Sequence, residues 1–126
     1  MSYEENMQCI TKGAGSDLSA AQYLFVDISA DGYVDVVATK GAKALGVLQD
    51  KPAAAGRAGC IAIGGVTKVK AGAVITQGAE VISDDDGAAL AQDGVSQFVM
   101  GSALETAAAA GDIIAIRMKA YQVPAA

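Results

Sequence analysis

Gln22-Tyr23-Leu24-Phe25-Val26-Asp27-Ile28, Ser29-Ala30-Asp31-Gly32 and Tyr33-Val34-Asp35-Val36-Val37-Ala38-Thr39 follow one another without a break, and their reading decides the fold. Both flanking runs are rich in β-branched and aromatic residues, which suit a pleated, half-buried surface. The Asp-Gly pair between them supplies the positive φ that a tight hairpin turn requires. In the second run Val34 and Val36 fall on one face and Tyr33 and Asp35 on the other, the alternation of a strand with one buried side. The segment predicts a β-hairpin.

Further short β-like runs follow at residues 45–48, 59–63, 66–70, 73–76, 80–83, 98–104 and 113–118, nearly all punctuated by glycine. Many short strands with glycine turns predict a mainly β, single-domain barrel or sandwich rather than a helical bundle. An internal echo supports this. Gly46-Val47-Leu48-Gln49-Asp50-Lys51-Pro52-Ala53-Ala54-Ala55-Gly56 aligns with Gly101-Ser102-Ala103-Leu104-Glu105-Thr106-Ala107-Ala108-Ala109-Ala110-Gly111, and each is followed by a β-rich stretch, Cys60-Ile61-Ala62-Ile63 or Ile113-Ile114-Ala115-Ile116. The reading is two related units of strand, alanine loop and strand. Alanine favours helix, Pro52 suits a first helical position and Gly56 or Gly111 a helix end, so each loop has room for one helical turn. Two copies are too few for a solenoid, and a pseudo-symmetric sheet or barrel follows. The expected organisation is a flexible N-terminal arm over residues 1–16, a β domain over 17–120 and a frayed tail over 121–126.

Composition narrows the chemistry. The chain has 126 residues, 52% hydrophobic and 18% charged, enough for one ordinary domain. About a fifth of it is alanine, so burial is worth less per residue and oligomerisation is expected to supply part of the stability. The net charge of −5 gives no electrostatic basis for binding nucleic acid or anionic lipid. The whole imbalance lies beyond residue 70, where Arg117 and Lys119 face seven acids. With no histidine and no tryptophan, the commonest general base and metal ligand and the best stacking surface are missing. Cys9 and Cys60 form no CxxC pair, so the expectation is two buried, reduced thiols with no zinc or redox site. The acidic opening Met1-Ser2-Tyr3-Glu4-Glu5-Asn6 is unlike a secretory signal, and no apolar run approaches the roughly 20 residues that span a bilayer. These features read as a soluble protein made in a cytoplasm.

Familiar site motifs fail on spacing. Asp84-Asp85-Asp86-Gly87 lacks the alternating ligands and distal Glu of a calcium loop and reads as a polar hairpin turn. Gly13-Ala14-Gly15 has Leu18 where a dinucleotide fingerprint needs its third glycine, and residues 59–65 lack the Lys-Ser/Thr of a phosphate loop. No Gly-x-Ser-x-Gly elbow appears, and neither cysteine has an imidazole partner. Met118-Lys119 is similar to the modified lysine of biotinyl carriers, but Arg117 and Ala120 flank it and no second half-domain remains, so it reads as a strand lysine. Lys68 and Lys70 share a strand face opposite Thr67 and Val69; with Arg57 they make a modest basic patch suited to an acidic protein surface.

Taken in order, Asp17-Leu18-Ser19, Gln22 to Val26, Gly46 to Ala54, Gly65-Val66-Thr67-Lys68-Val69, Ala71-Gly72-Ala73, Val81-Ile82-Ser83-Asp84, Gly101 to Glu105 and Gly111-Asp112-Ile113-Ile114 resemble the small bacteriophage head-decoration, or capsid cement, proteins from about residue 7 to about 118. The resemblance implies a β-tulip-like barrel or sandwich and a structural, non-enzymatic virion protein. It implies attachment to the outside of the head shell through the major capsid protein, commonly as homotrimers, with no cofactor, metal, nucleic acid or membrane. The alternatives are a phage tail or fibre component and a non-catalytic binding module; the rarity of aromatics weakens a sugar-binding module. The expected contacts to shell or neighbouring subunit are Tyr3, Met7 and Ile10 of the arm, Ala53, Ala54, Ala108 and Ala109 of the echoed loops, and Lys68 and Lys70.

Overall fold

The computed structural model describes residues 7–124. Nine strands follow in chain order: β1 (Met7–Gly13), β2 (Phe25–Ile28), β3 (Val34–Val36), β4 (Gly46–Leu48), β5 (Ala58–Lys70), β6 (Glu80–Ser83), β7 (Ala89–Ala91), β8 (Phe98–Ala103) and β9 (Ile113–Gln122). They form one curled, antiparallel half-barrel sheet in the order β3-β2-β4-β5-β9-β8-β6-β7, with β1 also on β5. The β2–β3 hairpin is present, with Gly32 at φ 86 in its turn. The expected strands at 59–63 and 66–70 are one continuous strand, β5.

The echo extends over the whole chain. Gly101 stands 55 positions after Gly46, and at that offset β2, β3 and β4 superpose on β6, β7 and β8. The pairing repeats residue by residue: Phe25↔Val47 and Val26↔Gly46 recur as Glu80↔Ser102 and Val81↔Gly101. So do the left-handed positions, Gly32 with Gly87, Gly56 with Gly111, Tyr23 with Gly78 and Gly41 with Ser96. The first strand of the second unit is the second half of β5. Gly13↔Ala58 and Ile10↔Ile61 on β1 correspond to Lys70↔Ile113 and Thr67↔Ile116. Thus β5 ends one five-stranded unit and begins the next.

Each unit has its own core. The first buries Ala14, Leu18, Val26, Val34, Leu48 and Ile61; the matching positions of the second are Ala71, Ile75, Val81, Ala89, Ala103 and Ile116. The second set is smaller at two positions, and its cluster is completed by Phe25, Val37, Ala44 and Val47 from the first unit. Full burial of each large apolar side chain contributes about 1.5–3 kcal/mol, so this crossing ties the units together. Backbone bonds reinforce the seam: Phe25 N–H donates to Gly87 O (2.7 Å), Gly41 N–H to Ser83 O (2.9 Å) and Lys70 N–H to Tyr23 O (2.9 Å).

Expectations change at the alanine loops and at both ends of the domain. No helix occurs among the described residues; the alanine loops close as turns, with Arg57 N–H donating to Ala54 O and Asp112 N–H to Ala109 O. The chain entering each turn is already pinned in extended form, Pro52 O accepting from Leu18 N–H and Ala107 N–H donating to Ile75 O, so too few residues remain for a helical turn. Nor is the arm free from residue 7 onward. Residues 7–13 are β1, and Ala14 is buried with its N–H donated to Arg57 O at 2.8 Å. At the other end, Tyr121 and Gln122 belong to β9 and pair with Val99 and Phe98.

Gly46 and Gly101 are required by close approach, since a Cβ there would meet the backbone oxygen of Ala62 or Arg117 on the neighbouring strand. Gly46→Ala and Gly101→Ala are each expected to lose about 1–3 kcal/mol in thermal or urea unfolding. Ser83 Oγ is buried without a hydrogen-bond partner. Removing an unpaired buried hydroxyl recovers a desolvation cost of about 1–3 kcal/mol, so Ser83→Ala is expected to unfold no earlier than the wild type.

Candidate functional site

The alternation of β5 sends Thr67 and Val69 inward and leaves Lys68 and Lys70 exposed. Facing them across the seam is the segment before β2, held by Tyr23 N–H donating to Leu48 O at 2.7 Å. Two open depressions meet at Tyr23. One, of about 240 Å³, includes Met7, Gln49, Thr67 and Lys68; the other, of about 440 Å³, includes Gln22, Lys51, Lys70 and Ile113. Together they form a groove. Its floor is braced by Gln49 Nε2 donating to Thr67 Oγ1 (2.8 Å) and Gln22 Nε2 donating to Gln49 O (3.0 Å).

Tyr23 stands at φ 68, where its counterpart Gly78 stands at φ 90. A left-handed backbone costs a residue with a side chain roughly 1–2 kcal/mol, a cost that glycine avoids. The three lysines are also additions to the repeat, their counterparts being Thr106 for Lys51, Thr11 for Lys68 and Gly13 for Lys70. Among the described residues the ion pairs are Lys40–Asp93 and Lys119–Glu80, so none of the three has a carboxylate within pairing distance.

At the far end of the second unit the chemistry differs. Where the first unit turns Phe25 and Val47 into the core, the second presents Glu80 and Ser102. Glu80 accepts from Lys119 Nζ (2.9 Å), Tyr121 Oη (3.1 Å) and Ser102 Oγ (3.4 Å). Burial pushes its carboxyl up, but these hydrogen bonds and the Lys119 charge prevail and hold it below the usual range. Lys119, read from sequence as a strand lysine, lies in this cluster with its Nζ 5.6 Å from the centre of the Tyr121 ring.

Of the residues expected to make contacts, Met7, Lys68 and Lys70 converge on the groove. Tyr3 lies outside the described residues. Ile10 is partly buried against the first core, opposite Ile61. Ala53, Ala54, Ala108 and Ala109 are exposed on the loops of separate units, and the N–H groups of Ala108 and Ala109 donate to Asp112 Oδ2 at 2.9 and 3.2 Å. Arg57 sits in the residue 54–57 turn rather than in the groove. Sequence reasoning missed Tyr23, Gln49 and Lys51. The available signal was the echo itself, which extended backward sets Tyr23 against Gly78.

The aspartate run forms the β6–β7 hairpin turn, as expected: Asp84 Oδ1 accepts from Asp86 N–H (2.8 Å) and Ala88 N–H (2.9 Å), with Gly87 at φ 82. The cysteines depart from expectation. Cys9 is exposed and Cys60 half-buried, and the β1–β5 pairing sets them side by side, Thr11 lying opposite Cys60. Burial, a hydrogen bond with Cys60 and the charges of Cys60 and Asp50 push the Cys9 thiol up to about 11.

A family model described as phage cement protein matches residues 10–119. Among solved structures, the head fiber gp8.5 N base of bacteriophage phi29 is similar with a TM-score of 0.71 at 22% identity, covering 95% of this chain and 100% of that one. At that identity the likeness is one of fold. No curated protein matches the chain.

A thiol whose pKa stands near 11 is a thiolate to about one part in a thousand at pH 8. Alkylation of Cys9 by iodoacetamide, followed by peptide mass, is expected to be slow at pH 8 and to accelerate through pH 11. A rate that levels off near pH 8.5 contradicts the assignment.

Proposed function

The chain belongs to the phage cement protein family, and from that premise we propose that it binds the outer surface of an assembled phage head and reinforces it, as a virion structural protein without catalytic activity. The family match over residues 10–119 is the observation that carries the reading. The surface chemistry supports it. The depressions are open, and among the described residues the groove is lined by lysines, amides and hydroxyls, with no histidine, cysteine or carboxylate. Such a surface suits adhesion.

Individual contacts of a small domain are modest, of the order of 800 Å² per partner in an ordinary interface. Many copies on one lattice, or several joined in an oligomer, raise the avidity without any new contact. A homotrimer fits this requirement, and the exposed small side chains at Ala53, Ala54, Ala108 and Ala109 suit a crowded subunit junction. The net charge of −5 disfavours packaged nucleic acid as the ligand; on the cement reading the protein sits on the capsid exterior and is synthesised in the host bacterial cytoplasm. A second reading, a base for a head fibre, draws on the fold likeness to the gp8.5 N base. It predicts sparse attachment rather than a saturated shell.

Mixing the purified chain with expanded heads separates the two. Cement function predicts saturable cosedimentation in fixed ratio to the major capsid protein and a higher melting temperature of the shell. Absence of cosedimentation, or saturation without any rise in shell melting temperature, overturns it.

A further inference from the structure

We propose that the seam groove, centred on Tyr23 and flanked by Lys51, Lys68 and Lys70, docks an extended acidic segment of the shell protein. The inference rests on the cement reading and names the surface and the chemistry of its partner.

Three observations carry it. The lysines have no carboxylate partner among the described residues of a chain whose net charge is −5. All three are absent from the repeat counterparts Thr106, Thr11 and Gly13, so they do not follow from the architecture. Tyr23 keeps an aromatic side chain where the backbone, at φ 68, favours the glycine found at its counterpart, and Tyr23 is the residue that lines both depressions. Strain retained at a groove is a mark of function.

Geometry selects the occupant. Lys68 and Lys70 project from the same face of β5 two residues apart, a spacing of about 6.6 Å along a strand. An extended polypeptide with Glu or Asp at alternate positions presents carboxylates at the same interval. Lys51 and the aromatic ring extend the contact along the groove. A nucleic acid duplex, with its denser and longer run of phosphates, would need a longer basic stripe than these three lysines.

The test uses the full chain and a fluorescent decapeptide of alternating Glu and Thr, read by anisotropy. Saturable binding is expected, at least ten-fold weaker in the Lys51→Gln/Lys68→Gln/Lys70→Gln variant and weaker again at raised salt. The same variant, melting at the wild-type temperature, is expected to cosediment less with expanded heads. Tyr23→Gly, which places glycine at a left-handed position, is expected to fold normally and to bind the peptide several-fold less tightly. Equal binding of peptide by wild type and triple variant overturns the groove whatever the heads do. Equal or tighter binding of a duplex oligonucleotide also overturns it. Loss of head binding by the wild type itself, with the peptide still captured through the lysines, overturns the cement reading and leaves the acidic-peptide specificity of the groove standing.

Discussion

Strand β5 is the constraint from which the rest of the molecule follows. Its 13 residues pair first with β1 and β4 and then with β9, so one continuous backbone serves both units of the sheet. Side chains alternate along a strand, and a slip by one residue sends every one of them to the opposite face. In β5 such a slip would evict Ile61 from the first core and Val69 from the second at once. The two units therefore share one register, and the second core is completed by side chains of the first. The groove is a by-product of this arrangement, lying where the pre-β2 segment of one unit meets the strand that opens the next.

The same comparison sets the outer faces of the two units apart. The face that carries Phe25 and Val47 in the first unit is apolar because a second unit covers it. Its counterpart in the second unit carries Glu80, Ser102, Lys119 and Tyr121 in mutual hydrogen bonds. Partly exposed ion pairs of this kind contribute only about 0–1 kcal/mol, so their main effect is to give that face a polar surface.

Much of this was legible in the residues. The hairpin over residues 22–39 is written in its alternation and its Asp-Gly turn, and the Gly46 and Gly101 segments announced a repeat. The inward and outward faces at Thr67, Lys68, Val69 and Lys70 followed from period two alone. What escaped was tertiary. Residues 7–13 carry too few apolar side chains to read as a strand, because their partner β5 supplies the pairing and Met7, Gln8 and Cys9 remain exposed. Helical propensity in the alanine loops lost to backbone groups already committed elsewhere. Cys9 and Cys60, 51 positions apart, meet only through strand pairing, and Lys51 joins the groove only through the fold.

Family, fold and surface chemistry thus meet at one seam, and the account stands or falls on the units being a single cooperative body. Native-state hydrogen exchange tests this most directly, by comparing the slowest amides of the first unit, such as Ile61 and Ala62, with those of the second, such as Val69 and Ile114. The shared strand predicts that all four exchange through the same global unfolding, with one free energy and one denaturant dependence. A lower-energy opening that exposes one unit while the other stays protected would contradict it.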